Sequence, residues 1–229
     1  MTDPDFLPDL AETMFATDAR GRLVGQAPHL HVLRAPERVI ARCHADVPDE
    51  TAARLIDLAE RPRGRPGQWA REYADYADIL QKVATLQAIR TGPLYRFPKV
   101  IEAVGDAIAI REDNADLLLG GLDEWRPDVA AGLPMVAVVV DGRAVSICAS
   151  VNASKAAHCA GVETLAAYRG KGLAAQTVSA WARQVRTVGA EPIYGTTFDN
   201  LSSQGVARRL GLDLMASEFS IECRRGSAG

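Results

Sequence analysis

The stretch Tyr168-Arg169-Gly170-Lys171-Gly172-Leu173-Ala174 sets two glycines and two cations between an apolar segment and the start of a helical pattern, and the chemistry it offers is anion binding. Glycine reaches backbone conformations closed to residues with a Cβ, so successive N–H groups converge on one anion. A helix behind the turn adds its positive end. Spacing separates the phosphate binders that share this outline. A nucleotide P-loop needs a glycine five residues before Gly170 and Ser or Thr after the lysine, where Leu165 and Gly172 stand. Gly170, Gly172 and Ala175 do satisfy the dinucleotide pattern G-x-G-x-x-G/A. The acid that pattern requires has only Glu191 as a candidate, placed before the next strand rather than at its end, and the turn lies too late for a doubly wound sheet. Two other groupings carry less. His29 and His31, with Cys43-His44 nearby, lack a further ligand at metal spacing, so no metal is expected. Cys159 follows His158, and adjacent strand residues face opposite ways, which makes Cys159 a buried thiol rather than a nucleophile.

Arg169 to Ala174 matches the signature R/Q-x-x-G-x-G/A. Downstream, Asn200-Leu201-Ser202-Ser203 opens a second helix that closes at Leu210-Gly211. With these two motifs in this order, the chain from near Ile108 to Glu222 resembles the GNAT superfamily of acyl-CoA-dependent N-acyltransferases. The resemblance implies an α+β fold: a GNAT-like mixed, mostly antiparallel twisted sheet flanked by helices, here with an N-terminal α+β extension. It implies acetyl-CoA as cosubstrate, its pyrophosphate on the backbone N–H groups of Gly170, Lys171, Gly172, Leu173 and Ala174, with charge from the Arg169 and Lys171 side chains. It carries the amide-bearing arm of the CoA onto Glu163, Thr164 and Leu165, with the Leu165 N–H polarising the thioester carbonyl, and a bond from that arm to Asn200. A homodimer is a further expectation of the family.

Transfer to an amine needs a base for the ammonium and a proton for the departing thiolate. Glu163, the carboxylate on the strand that would line the thioester, is the candidate base. His158 has a suitable ordinary pKa but points to the opposite face. The tyrosine that many members carry seven residues after the asparagine is replaced by Ala207. Ser203, one turn into that helix and also a CoA contact by position, or Tyr194 on the preceding strand, would then supply the proton. The leading expectation is an N-acetyltransferase that moves an acetyl group to a primary amine of a small molecule by direct attack in a ternary complex. A non-catalytic acyl-CoA-binding regulatory module is the alternative, and a dinucleotide oxidoreductase comes third.

These residues need a strand, a turn and a helix behind them. Cys159 to Leu165 reads as the strand, and Ala174, Val178, Trp181 and Val185 form a helical stripe ended by Gly189. A strand over Pro192 to Phe198 leads to Asn200. Before the turn, Ala107 to Ile110 reads as a strand, Asn114 to Trp125 as the start of a helix, and Met135 to Val140 as a strand that turns at Asp141-Gly142 into Arg143 to Val151. The last strand is Glu218 to Glu222. Residues 1–100 are expected to form an N-terminal α+β subdomain that shapes the acceptor site, and 101–229 the acetyltransferase domain. In the first of these, Met14 to Ala16 and Arg22 to Val24 flank a turn, and His29 to Leu33 and Val39 to Cys43 read as strands. Thr51 to Glu60 and Tyr73 to Ala88 read as helices, Arg61 to Gly67 as an exposed arginine-rich turn, and Leu94 to Phe97 as a short strand after a break at Gly92-Pro93.

The 229 residues carry a net charge of -3, which gives nucleic acid no general field to follow. No apolar run approaches the roughly 20 residues that span a bilayer, and the acidic start lacks a signal peptide's basic region, so a cytoplasmic protein without a membrane partner is expected. Cys43, Cys148, Cys159 and Cys223 lack C-x-x-C spacing and are expected to be reduced.

Overall fold

The computed structural model describes residues 6–61 and 69–224; the arginine-rich turn falls, beyond Arg61, outside the described residues. Its elements in chain order are α1 (Phe6–Met14), β1 (Leu30–Arg34), β2 (Val39–Cys43), α2 (Asp49–Glu60), α3 (Trp69–Leu80), β3 (Leu86–Arg96) and β4 (Ile108–Ala109). Two 3-10 segments, Glu112–Leu118 and Asp123–Ala131, precede β5 (Met135–Val140), β6 (Arg143–Ala153) and β7 (Ala157–Thr164). A 3-10 turn at Ala166–Tyr168 leads to α4 (Leu173–Thr187), followed by β8 (Glu191–Gly195), α5 (Leu201–Arg209) and β9 (Asp213–Cys223). The class is α+β with a mostly antiparallel sheet. No helix among the described residues is long and apolar enough to cross a membrane.

Chain contacts divide the protein into two units, Met1–Pro93 with Met215–Gly229, and Leu94–Leu214. In the first, the strand order is β2-β1-β9-β3. The end of the chain belongs here because β9 pairs antiparallel with β1, Leu30 against Ile221 and Val32 against Phe219. Phe219 and Ile221 then fill a core with Leu55, Tyr76 and Leu80. A boundary read from local punctuation near residue 100 had no access to that long-range pairing. Three elements differ from expectation. Phe6–Met14 is a helix, with Leu7, Leu10 and Ala11 buried at helical spacing. The turn after it is closed by a single bridge, Thr17 to Leu23, rather than by two strands. The helix read over Tyr73 to Ala88 ends at Leu80, and β3 runs through Gly92-Pro93 without a break. A proline's fixed φ suits extended backbone, and it forfeits only one ladder bond.

In the second unit the order is β3-β8-β7-β6-β5-β4, with β7 and β8 parallel and the other pairs antiparallel. Asp141 and Gly142 both take positive φ, as a two-residue hairpin turn requires. Alternation along β5 and β6 sends Val136 and Cys148 to one face, where they meet Val178, Trp181 and Val185 of α4. Ala137 and Ile147 face the other way, against Leu118 and Val129 of the 3-10 segments and Leu122 between them. Those segments replace the helix read from Asn114, because Asp123 ties the Gly120 and Gly121 N–H groups to its carboxylate at 3.0 and 2.8 Å and interrupts any continuous helix. The four cysteines are buried, and none is in a disulfide.

Candidate functional site

Two features of the second unit open a cleft. The first is a divergence of parallel strands. β7 and β8 pair only from Ala157 opposite Glu191 to Cys159 opposite Ile193, although β7 continues to Thr164. A bulge in β6, between Ser150 and Asn152, lies opposite the point where the strands part. An extra residue on one strand bends the ladder and increases its twist, which accounts for the divergence. The second feature is the start of α4, where Gly170 and Gly172 take φ of 76° and 78° and Gly172 is the N-cap with no side-chain capping bond. The first N–H groups of a helix have no partner within it, so here they face the cleft unsatisfied.

The cleft encloses about 630 Å³ and is lined by Glu163, Thr164, Arg169, Gly170, Gly172, Leu173, Ala174, Asn200 and Ser203 from the sequence expectations. Leu165 and Lys171 are not in its lining. The Leu165 N–H, assigned to polarise a carbonyl, donates to the Val145 carbonyl at 2.9 Å, and its side chain packs with the 3-10 segments. Strand alternation explains the correction. Leu165, Glu163 and Gly161 direct backbone groups to β6, so Val162 and Thr164 present theirs to the open edge. The Thr164 carbonyl there already accepts from Arg169 Nε at 3.0 Å. Lys171 turns its ammonium over the Tyr168 ring, 4.8 Å from the centroid.

The cation that does reach the turn is one the sequence reading left out. A Cβ on Gly172 would lie 2.6 Å from Arg209 Nη1, so this guanidinium from the end of α5 rests on the first turn of α4 and lines the cleft. Helical spacing was the available signal: Ser202, Gly205, Val206 and Arg209 share one face of α5.

Asn200 caps α5, its Oδ1 accepting from the Ser203 N–H at 3.0 Å. Ser203 Oγ is 2.6 Å from the hydroxyl of Tyr194, and both residues line the cleft. Burial pushes the Tyr194 hydroxyl pKa up, against a smaller opposing effect of the Ser203 hydrogen bond, so the phenol stays protonated near neutrality. Ala207 is fully buried in the α4-side core and offers no proton.

Glu163 faces the 3-10 segments, where its Oε2 accepts the Trp125 indole N–H at 2.7 Å. His158 lies on the α4 side, its Nδ1 2.8 Å from Ser150 Oγ, which also accepts from the Trp181 indole at 3.0 Å. Burial pushes the His158 pKa down, leaving a neutral ring within a packed network rather than a base in the cleft. His29 and His31 lie in the first unit and are engaged separately, His29 Nδ1 with the Cys223 N–H and His31 Nε2 with Glu218. Among the described residues no group of three ligands could hold a metal ion.

Residues 131–217 match the family model of the GNAT acetyltransferases. No curated protein sequence matches the chain. Among solved structures, a GCN5-related N-acetyltransferase-like protein from Streptococcus suis 89/1591 is similar with a TM-score of 0.54 at 15% identity, over 96% of this chain and 99% of that one. A candidate acetyltransferase of the GNAT family from Novosphingobium aromaticivorans is similar with a TM-score of 0.52 at 13% identity, over 94% of each chain. Of a GNAT-family acetyltransferase from Colwellia psychrerythraea the chain spans 62% of the length, from 65% of its own, at 12% identity and a TM-score of 0.45. These likenesses concern the fold.

Proposed function

We propose, from the match of residues 131–217 to the GNAT acetyltransferase family model, that the protein is an N-acetyltransferase using acetyl-CoA, with a primary amine of a small molecule as acceptor. The observation that carries the reading is the cleft, in which an uncapped helix start meets the unpaired edge of the strand that carries Glu163. Acetyl-CoA supplies an activated acyl group as a thioester. A pyrophosphate is the natural partner of the α4 start, with N–H groups from Gly172, Leu173 and Ala174 and the Arg209 guanidinium at hand. Amides of an extended arm find hydrogen-bonding partners in Val162 and Thr164. Glu163 removes the proton from the acceptor ammonium, directly or through water. Ser203 donates a proton to the departing thiolate and is resupplied by Tyr194, which regains its proton from solvent once the products leave the cleft; the pair takes over the task that Ala207 cannot perform.

The deciding experiment is thiol release from acetyl-CoA across amines, amino acids, polyamines, aminoglycosides and peptides, alongside CoA titration by calorimetry. Release with a small amine is the expected result. CoA binding with no release from any acceptor would favour a regulatory acyl-CoA-binding module, and absence of CoA binding would overturn the reading altogether. Two variants refine it. Arg209→Ala is expected to weaken CoA binding about tenfold, as loss of one hydrogen bond to a charged group does, and to flatten its salt dependence, read by calorimetry at two ionic strengths. Tyr194→Phe is expected to lower kcat about tenfold at unchanged KM for acetyl-CoA, since the phenol acts on the departing group and not on binding.

A further inference from the structure

We infer that Trp125 is a positioning residue for the reaction, holding Glu163 in the one orientation that leaves a carboxylate oxygen for the acceptor. The inference rests on the reading of Glu163 as base. A free glutamate side chain spreads over many rotamers, and fixing it in one costs conformational entropy. The Trp125 indole N–H, 2.7 Å from Oε2, removes that freedom. An indole nitrogen can only donate, so Oε2 accepts, and one of its two lone pairs is committed to Trp125. Oε1 has no partner among the described residues.

The indole is itself held. Its backbone N–H donates to the Leu122 carbonyl at 3.1 Å, within a segment anchored by Asp123 and by an ion pair of Arg126 with Asp116 at 2.6 Å. Its ring lies against β7 at Gly161, where a Cβ would come within 2.8 Å of Trp125 Cη2 and 2.2 Å of Val151 Cγ1. Glycine inside a strand weakens it. Here the missing side chain makes room for the indole two residues from the carboxylate, on the same face of β7. The remaining neighbours on that face are apolar, Ile147 opposite Glu163 and Leu165 beyond it, and neither can substitute for the indole as a donor.

The test combines two measurements on the full chain. Trp125→Phe, and replacement of Trp125 by benzothienylalanine, which keeps the shape without the N–H, should each lower kcat about tenfold while KM for acetyl-CoA and the calorimetric Kd for CoA stay unchanged. In the Glu163→Gln background neither replacement should lower kcat further, because the indole acts only through the carboxylate. Independently of turnover, the indole N–H resonance lost in Trp125→Phe should move upfield on Glu163→Ala in the 15N-tryptophan spectrum. Equal kcat losses from Trp125→Phe with and without Glu163→Gln would overturn the inference in favour of a packing role. An unchanged indole resonance would overturn it by removing the contact. If Glu163→Gln keeps full activity, the assignment of the base itself fails, and the inference with it.

Discussion

Glu163→Gln is expected to lower kcat by about 10²- to 10³-fold, within the usual range for removal of a general base, and to leave acetyl-CoA binding unchanged. The substitution keeps shape and hydrogen-bonding capacity, and the amide oxygen can still accept from Trp125. It removes the group able to take a proton from the acceptor ammonium. His158 does not compensate, because it lies on the opposite face of β7, bonded to Ser150 in a network closed by Trp181. The check is steady-state kinetics with the acceptor identified by thiol release, together with a kcat profile against pH. If loss of activity in the variant were restored by raising pH, so that the acceptor deprotonates in solution, the role as base would be supported. An unimpaired variant would return Glu163 to a structural partner of Trp125 alone.

The largest effect on stability is expected from Trp181→Ala, about 3–5 kcal/mol, measured by urea unfolding with the midpoint compared at constant slope. Trp181 is fully buried, lies 6.3 Å from the Phe97 ring between centroids, and bonds Ser150 through its indole N–H. The substitution opens a cavity and leaves the Ser150 hydroxyl, the partner of His158, short of a donor. Because α4 rests on this side chain, partial relaxation into the cavity would also move the helix start that faces the cleft. CoA affinity is therefore expected to fall in Trp181→Ala even at temperatures where the protein remains folded. Trp181→Phe, which refills most of the volume, should recover affinity and part of the stability.

Much of the site was legible because its signals are local. Gly170 and Gly172 mark a turn that needs positive φ, the stripe through Val178, Trp181 and Val185 marks the helix behind it, and Asn200 marks a cap. The hairpin at Asp141-Gly142 and the strand Val39–Cys43 were equally plain, since turn chemistry and alternation act over a few residues. Trp125 was not legible: it stands 38 residues from Glu163, and nothing near it in sequence announces the contact. Neither was the orientation of Leu165, whose backbone direction depends on register with β6.

What the sequence alone determined, then, was the α+β class, the resemblance in the C-terminal half, and the residue types available for anion binding and proton transfer, all set by chemistry within one or two turns of chain. Tertiary structure decided which of those residues meet. The bulge in β6 opens the strand edge, strand parity turns Leu165 away and Thr164 toward the cleft, Arg209 rather than Lys171 reaches the turn, and β9 joins the N-terminal unit. Each of these follows from hydrogen-bond register or packing between segments far apart in the chain, which no local pattern encodes.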